Sequence, residues 1–395
     1  MWLSLSKFLN HFKLPNNKWH IESYAVKFKN HLHKDICRIF YPFNLMLKLQ
    51  FASKYCIKDG CITTNGVTSY ILAFLVFSFI IPAHMIVYIS TTDITQSYVS
   101  IIFPTFRCIG LIITFILSIV HRCNNVLLVL IIQDIHRCID ISKTICNIII
   151  WNWITVFSAV FGDMFIYVVF YNAFTRFSYS SAFCEAFFAC IDVDLVYGIR
   201  ILVLLMKYLD AWTVEVLSMS VNEGIGKRYC ILLLKNYRNI LKAFNVYKKL
   251  SQVMVLVRTI NAFGRNLAHL QNTIQMLKVK SCLQRTPFLY PDWIYCAMTS
   301  VWIMKYLTVI TLQSVYCEKF YIAVDKAEAA CIQRMMNVNC SKNHRRLFKT
   351  VIRETRSSSI KMRACGLFNV DVILPLSIMG LFAHYSFILL QFAFL

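Results

Sequence analysis

Ala383-His384-Tyr385-Ser386-Phe387-Ile388-Leu389-Leu390-Gln391-Phe392-Ala393-Phe394-Leu395 reads as an apolar helix that carries one amide, Gln391. Inside a hydrocarbon layer a polar amide is costly unless it meets a partner or water. The glutamine therefore points to a subunit contact or a pore. A glutamine bonded within one monomer is the alternative.

The rest of the chain has the same character. Of 395 residues, 58% are hydrophobic, 15% aromatic and only 15% charged, with 10 Gly, 7 Pro and a mean hydropathy of +0.58. A soluble domain of this size is far less apolar. The expected fold class is an all-α, polytopic membrane protein.

Apolar runs at Gly66-Ser90, Val99-His121, Thr144-Tyr171, Ala182-Lys207, Trp293-Cys317 and Asn369-Leu395 are each long enough to cross the roughly 30 Å hydrocarbon layer as helices. The first lies too far along the chain to be a signal peptide. Before it come Lys7, Lys13, Lys18, Lys27, Lys29, Lys34, Arg38, Lys48, Lys54 and Lys58, which set the amino terminus in the cytosol by the positive-inside rule. The stretch Ile36-Tyr55, interrupted by Pro42 and Lys48, reads as an interfacial or re-entrant helix.

Charge parity demands one more crossing. The basic segments at Lys227-Lys249 and Lys342-Arg363 both belong in the cytosol, yet only Trp293-Cys317 lies between them as an obvious span. The missing crossing is Thr259-Leu277, flanked by Arg258 and Lys278. A central Arg265 costs roughly 2.5–3.5 kcal/mol, so this helix cannot face lipid all round. Its polar residues Arg265, Asn266, His269, Gln271 and Asn272 are expected against protein or a water-filled cavity. Seven crossings place the carboxyl terminus outside, the inverse of a G-protein-coupled receptor.

The formal charge of +22 is then mostly cytosolic loops beside anionic lipid, with no nucleic-acid partner. Enzyme chemistry is not indicated. No Gly-x-Gly-x-x-Gly, phosphate-binding loop or Gly-x-Ser-x-Gly elbow occurs. The sixteen cysteines form no Cys-x-x-Cys pair and read as reduced, small apolar residues, while His31-x-His33 lacks thiol partners. Neither a metal site nor a cofactor is expected. An internal repeat of the transporter kind is also missing.

Three segments resemble the insect gustatory receptor family. That family closes on Thr-Tyr, five apolar residues and Gln-Phe; here His384-Tyr385, Ser386-Leu390 and Gln391-Phe392 stand in that order. Arg363-Ala364-Cys365-Gly366-Leu367-Phe368-Asn369-Val370-Asp371 is similar to the Ala-Cys-Gly-Phe-x-x-Asp stretch that opens its last helix, and Thr259-Ile260-Asn261-Ala262-Phe263-Gly264 to its Ile-Asn-x-x-Phe-Gly run. His384 replaces the usual threonine. Ser386 stands where sugar-sensing members carry glutamate, which favours the divergent group often tuned to bitter plant compounds.

The resemblance implies a tastant-gated, non-selective cation channel in the plasma membrane, passing monovalent and divalent cations, built as a homotetramer or as a heterotetramer with related receptors. Its final helix would line the central pore. Gln391 would project into the narrow part, Phe392 would help close the gate, and Tyr385 would bond toward a neighbouring helix. Spacing adds its own reading: His384, Phe387 and Gln391 share one helical stripe, which makes Phe387 a gate candidate. The imidazole of His384 would gain charge on acidification and repel cations. A non-conducting co-subunit is the second reading, and a transporter the third.

Aromatic and acidic residues toward the outer side supply the pocket candidates for a small-molecule tastant: Tyr167, Tyr171, Glu185, Asp192, Trp293 and Tyr295. Asp163 or Asp194 is expected to pair with Arg200. The expected regions are 1–65, cytoplasmic with the interfacial helix; 66–317, spans one to six with the pocket; 318–363, a cytoplasmic anchor; and 364–395, the pore helix.

Overall fold

The computed structural model describes residues 30–91, 99–174, 179–219, 227–282, 292–336, 341–357 and 361–394. Ten helices occur among them. They are α1 (Lys34–Leu49), α2 (Val67–Thr91), α3 (Val99–Val120), α4 (Arg122–His136), α5 (Ser142–Phe174), α6 (Tyr179–Ser218), α7 (Lys227–Cys282), α8 (Asp292–Met335), α9 (Lys342–Ser357) and α10 (Ile373–Phe394). Two antiparallel hairpins, β1 (Cys56–Lys58) with β2 (Cys61–Thr63) and β3 (Arg363–Ala364) with β4 (Phe368–Asn369), qualify the all-α expectation.

The expected interfacial stretch Ile36-Tyr55 resolves into α1, which accommodates Pro42, a turn, and the strand pair that follows. Among the described residues, three helices are long and apolar enough to cross a membrane: Val67–Ile86, Ser142–Ile166 and Ile373–Phe392. A fourth is added if Pro104–Val120 and Arg122–His136, bent by 68° at His121, count as one span. The expected fourth, fifth and sixth crossings also fall on helices, within α6, α7 and α8. Those helices carry Glu185, Asp192, Asp194, Arg258, Arg265 and Lys305, which is why they are less apolar than the other three.

α6 is the hub. It touches α1, α2, α3, α4, α5, α7 and α8, and its Phe188, Tyr208 and Trp212 are fully buried. α7, with 56 residues, extends for about 84 Å, nearly three times a hydrocarbon layer, so much of it must project beyond any bilayer. The projecting parts of α6, α7 and α8 form an aromatic core. The indole of Trp212 donates to the Leu233 carbonyl at 3.0 Å, its ring lies 4.9 Å from that of Tyr237, and Phe244 stacks on Phe320 at 4.2 Å. The basic helix α9 closes this end. Leu347, Phe348 and Val351 are buried, and its outer face pairs Glu354 with Arg238 and Arg356 with Glu328 at 2.7 Å.

α2, α5 and α10 lie at the periphery with apolar side chains uncovered. Phe79 is 73% exposed, Phe165 70% and Phe387 68%. An apolar surface of that extent marks contact with lipid or protein.

Candidate functional site

The segment leading into α10 explains why the Ala-Cys-Gly run is written as it is. Cys365 (φ 48°) and Gly366 (φ 78°) both take the left-handed region, and the Leu367 amide donates to the Ala364 carbonyl at 3.0 Å. That is a type I′ turn, whose twist matches the paired strands and for which glycine is the low-cost second residue. Tyr321 of α8 anchors the hairpin. Its hydroxyl accepts from the Met362 amide at 2.9 Å and donates to the Val370 carbonyl at 3.1 Å. Asp371 then accepts from the Ile373 amide at 3.1 Å and so caps the start of α10.

From that fixed origin α10 runs with little cover. Leu374 and Ile378 are buried against the bundle, whereas Leu376, Phe387 and Phe392 are 66%, 68% and 80% exposed. His384 and Gln391 are exposed too, on the side away from Leu374 and Ile378. Tyr385 turns toward the bundle and meets Phe263 of α7 edge to face, with ring centroids 5.6 Å apart.

Phe263 belongs to the Ile-Asn-x-x-Phe-Gly run, and its neighbours hold α3. The Asn261 side-chain amide donates to the Phe106 carbonyl at 3.4 Å. Gly264 admits the Phe106 ring so closely that a Cβ there would lie 2.8 Å from it. One turn of α7 thus contacts α3 on one side and α10 on the other.

Behind this turn lies a chain of buried charges. Glu185 (α6) pairs with Arg107 (α3), which reaches Asp163 (α5) at 3.4 Å; Asp163 pairs with Lys305 (α8), which reaches Asp192 (α6) at 2.8 Å. A second group sits two residues further along α6, where Asp194 takes Lys54 at 2.6 Å and Arg258 (α7) at 3.5 Å. Four cations thus meet four carboxylates across α3, α5, α6, α7, α8 and the loop after α1. Rings cover the remaining faces: Arg107 lies 5.3 Å from the Phe188 centroid, and Lys305 5.2 Å from that of Trp302. Stripping water from an ion costs several kcal/mol, so alternation of sign along the chain is what makes these charges tolerable.

Of the sequence-derived pocket candidates, Glu185 and Asp192 are joined through this network. The backbones of Tyr167, Tyr171, Trp293 and Tyr295 lie in α5 and α8, and their side chains fall outside the described residues. Arg200 does not pair with Asp163 or Asp194. It donates instead to the Asn152 side chain at 2.6 Å and the Ile148 carbonyl at 3.4 Å, because Lys54, Arg107, Arg258 and Lys305 already occupy those carboxylates. Arg265 is buried as expected, bonded to the Tyr306 hydroxyl with its guanidinium 5.3 Å from that ring. Sequence reasoning missed Arg107, although a lone arginine in the apolar run Val99-His121 was itself the signal that an acid must face it.

Beside Asp194 and Arg258 is a cavity of about 30 Å³, lined also by Lys54, Tyr197 and Gln313. That is room for about two waters and far below the roughly 300 Å³ that a drug-sized ligand needs.

No family model and no curated protein matches this sequence. Solved structures do match. The insect olfactory receptor OR5 from Machilis hrabei superposes with a TM-score of 0.62 at 10% identity, covering 89% of this chain and 97% of that one. This chain has the fold of an insect olfactory receptor. The complex of the same receptor with eugenol gives 0.58, again at 10% identity, covering 92% of this chain and 99% of that one. Both matches extend over nearly the whole of that receptor.

Proposed function

We propose that the chain is a chemosensory ligand-gated cation channel of the gustatory type, in the plasma membrane, with seven crossings, a cytosolic amino terminus and an external carboxyl terminus. The observation that carries this reading is α10: an apolar helix, docked at its root by the Tyr321-held hairpin, that leaves the His384, Phe387 and Gln391 side uncovered by its own subunit. Four copies arranged about that side would bring four amides to one axis. Gln391 then lines the constriction, Phe387 and Phe392 gate it by excluding water, and Tyr385 transmits movement from α7.

The ligand in this reading is a small amphipathic molecule, the chemical class of the eugenol bound to the structurally similar receptor. It enters among the outer parts of α5, α6 and α8, where Tyr167, Tyr171, Glu185, Asp192, Trp293 and Tyr295 are the proposed contacts. Its differential affinity for the open state shifts the equilibrium. Bitter plant compounds are the favoured tastants, and monovalent and divalent cations the permeant ions.

Expression of the chain alone in cells carrying a calcium indicator, screened with plant alkaloids, sugars and amino acids, tests the proposal. A ligand-evoked cation current that Gln391→Ala alters in conductance or selectivity supports it. Normal surface expression with no current when alone, but altered currents in related receptors, would instead assign a non-conducting co-subunit. Saturable flux without single-channel steps would assign a transporter.

A further inference from the structure

His33, Asp35 and His136 come together from places 100 residues apart, away from the ion-pair network and from every span read in the sequence. His33 is the N-cap of α1, Asp35 sits in its first turn, and His136 ends α4. The Asp35 Oδ2 atom lies 3.5 Å from His33 Nδ1 and 3.9 Å from His136 Nε2. One ligand atom from each of the three residues fits within 4.8 Å of the others. Ligand atoms at about 2.1 Å around a tetrahedral zinc stand about 3.4 Å from one another, so the 3.5 Å pair already has that spacing and the widest must close by up to about 1.4 Å.

The surroundings prepare the imidazoles for such a role. Tyr208, fully buried on α6, occupies His136 Nδ1 at 3.0 Å, which leaves Nε2 as the free nitrogen on the Asp35 side. A hydrogen bond to the other ring nitrogen is how metal-bound histidines are oriented. Gln133, one turn back on the same face of α4, accepts from the His33 amide at 3.3 Å and donates to the His31 carbonyl at 2.8 Å, which holds the segment in place. Among the described residues, Asp35 forms ion pairs with these two histidines and with no lysine or arginine. Side-chain exposure rises from 8% at His136 through 31% at Asp35 to 53% at His33, so a fourth position opens to solvent.

We propose that His33, Asp35 and His136 form a three-ligand site for a zinc-class divalent ion, with water in the open position, and that the ion ties the start of α1 to the end of α4. Two imidazoles and one carboxylate select zinc-class metals over magnesium or calcium, which take oxygen ligands. The sequence alone offered only His31-x-His33; the third ligand is distant in sequence and is supplied by the fold.

The test uses the full chain, purified in detergent and stripped with a chelator, then titrated with Co²⁺ and Zn²⁺. The expected result is about one Co²⁺ per chain, displaced by Zn²⁺, with visible ligand-field bands and no thiolate charge-transfer band. His33→Ala and Asp35→Asn should each weaken Zn²⁺ binding at least tenfold; His33→Ala also removes the side chain that caps α1 by accepting from the Asp35 amide at 3.4 Å, so it lowers the unfolding temperature of the metal-free protein as well, whereas Asp35→Asn should change that temperature little. Tyr208→Phe should weaken it about 10- to 100-fold. His33→Cys should keep the ion and gain the thiolate band, which separates loss of a ligand from loss of structure. Unchanged affinity in both His33→Ala and Asp35→Asn, a thiolate band in the unaltered protein, or no saturable binding below about 100 μM Zn²⁺ would overturn the proposal.

Discussion

Phe263 and Tyr385 meet edge to face at 5.6 Å and 77°, a ring contact that joins α7 to α10. Both belong to short sequence runs that are otherwise unconnected, and the fold turns them into one joint. If α10 moves during gating, this joint must either travel with it or break.

A double-mutant cycle reads the joint directly. Phe263→Ala and Tyr385→Ala should each shift the concentration of ligand giving half-maximal current. Their coupling should be about 0.5–1.5 kcal/mol, a roughly 2- to 12-fold departure from additivity. Strict additivity of the two shifts would show that the contact carries nothing between the helices.

Gly264 should tolerate no side chain while Phe106 stays in place. A Cβ 2.8 Å from the Phe106 ring forces α3 and α7 apart, and overpacking of this kind costs about 1–3 kcal/mol. Gly264→Ala should therefore lower the unfolding temperature in detergent, and Phe106→Leu added to it should recover at least half of the loss. If the second change restores nothing, the glycine is required for another reason.

A single hydroxyl ties both ends of the hairpin before α10 to α8, beside the backbone bond from the Val370 amide to the Met362 carbonyl at 2.9 Å. Tyr321→Phe removes a donor to Val370 and an acceptor for Met362, both backbone groups in a buried setting. At about 1–3 kcal/mol for each group left unsatisfied, the loss should appear as faster amide hydrogen exchange across 362–374. Unaltered exchange there would place the anchor elsewhere.

Helix existence was readable because long apolar runs admit little else, and Thr259-Leu277, with its Arg265 and His269, was readable only through the charge parity of its flanks. Partner choice was not. Asp163 and Asp194 announce that they need cations, but whether Arg200 or Arg107, Lys305, Lys54 and Arg258 supply them depends on helix rotation and crossing, which periodicity does not encode. The same holds for His136, which joins His33 only because α4 bends by 68° away from α3. The hairpins escaped notice for a different reason. Asp59-Gly60 and Cys365-Gly366 are I′ turn dipeptides, yet strands of two or three residues give almost no alternation to detect. At the candidate pore, the stripe through His384, Phe387 and Gln391 follows from spacing alone, whereas contact with other subunits is information no single chain carries.

His384 gives the pore reading a charge test. It stands on the exposed side of α10, on the stripe shared with Phe387 and Gln391. If four copies share an axis there, a fixed positive charge at this position opposes cation entry. His384→Lys should lower the cation current severalfold at equal surface expression, and His384→Thr should not. An unchanged current in His384→Lys would remove this position from the conduction path.

The ion-pair network predicts an asymmetry between single and double substitution. Arg107 and Glu185 pair with side-chain exposures of only 12% and 5%, so neither has water to fall back on. Arg107→Leu leaves Glu185 buried without its cation, and breaking a buried pair from one side costs about 3–5 kcal/mol. Surface expression should fall severely in Arg107→Leu. Arg107→Leu with Glu185→Leu removes both charges, and replacement of a buried pair by apolar groups is often neutral, so at least half of the expression should return. Asp163 loses Arg107 but keeps Lys305 in either variant, so the single and double variants differ only in whether Glu185 is left unpaired. If expression in the double variant is as poor as in the single one, Arg107 acts through Asp163 and Phe188 rather than through Glu185.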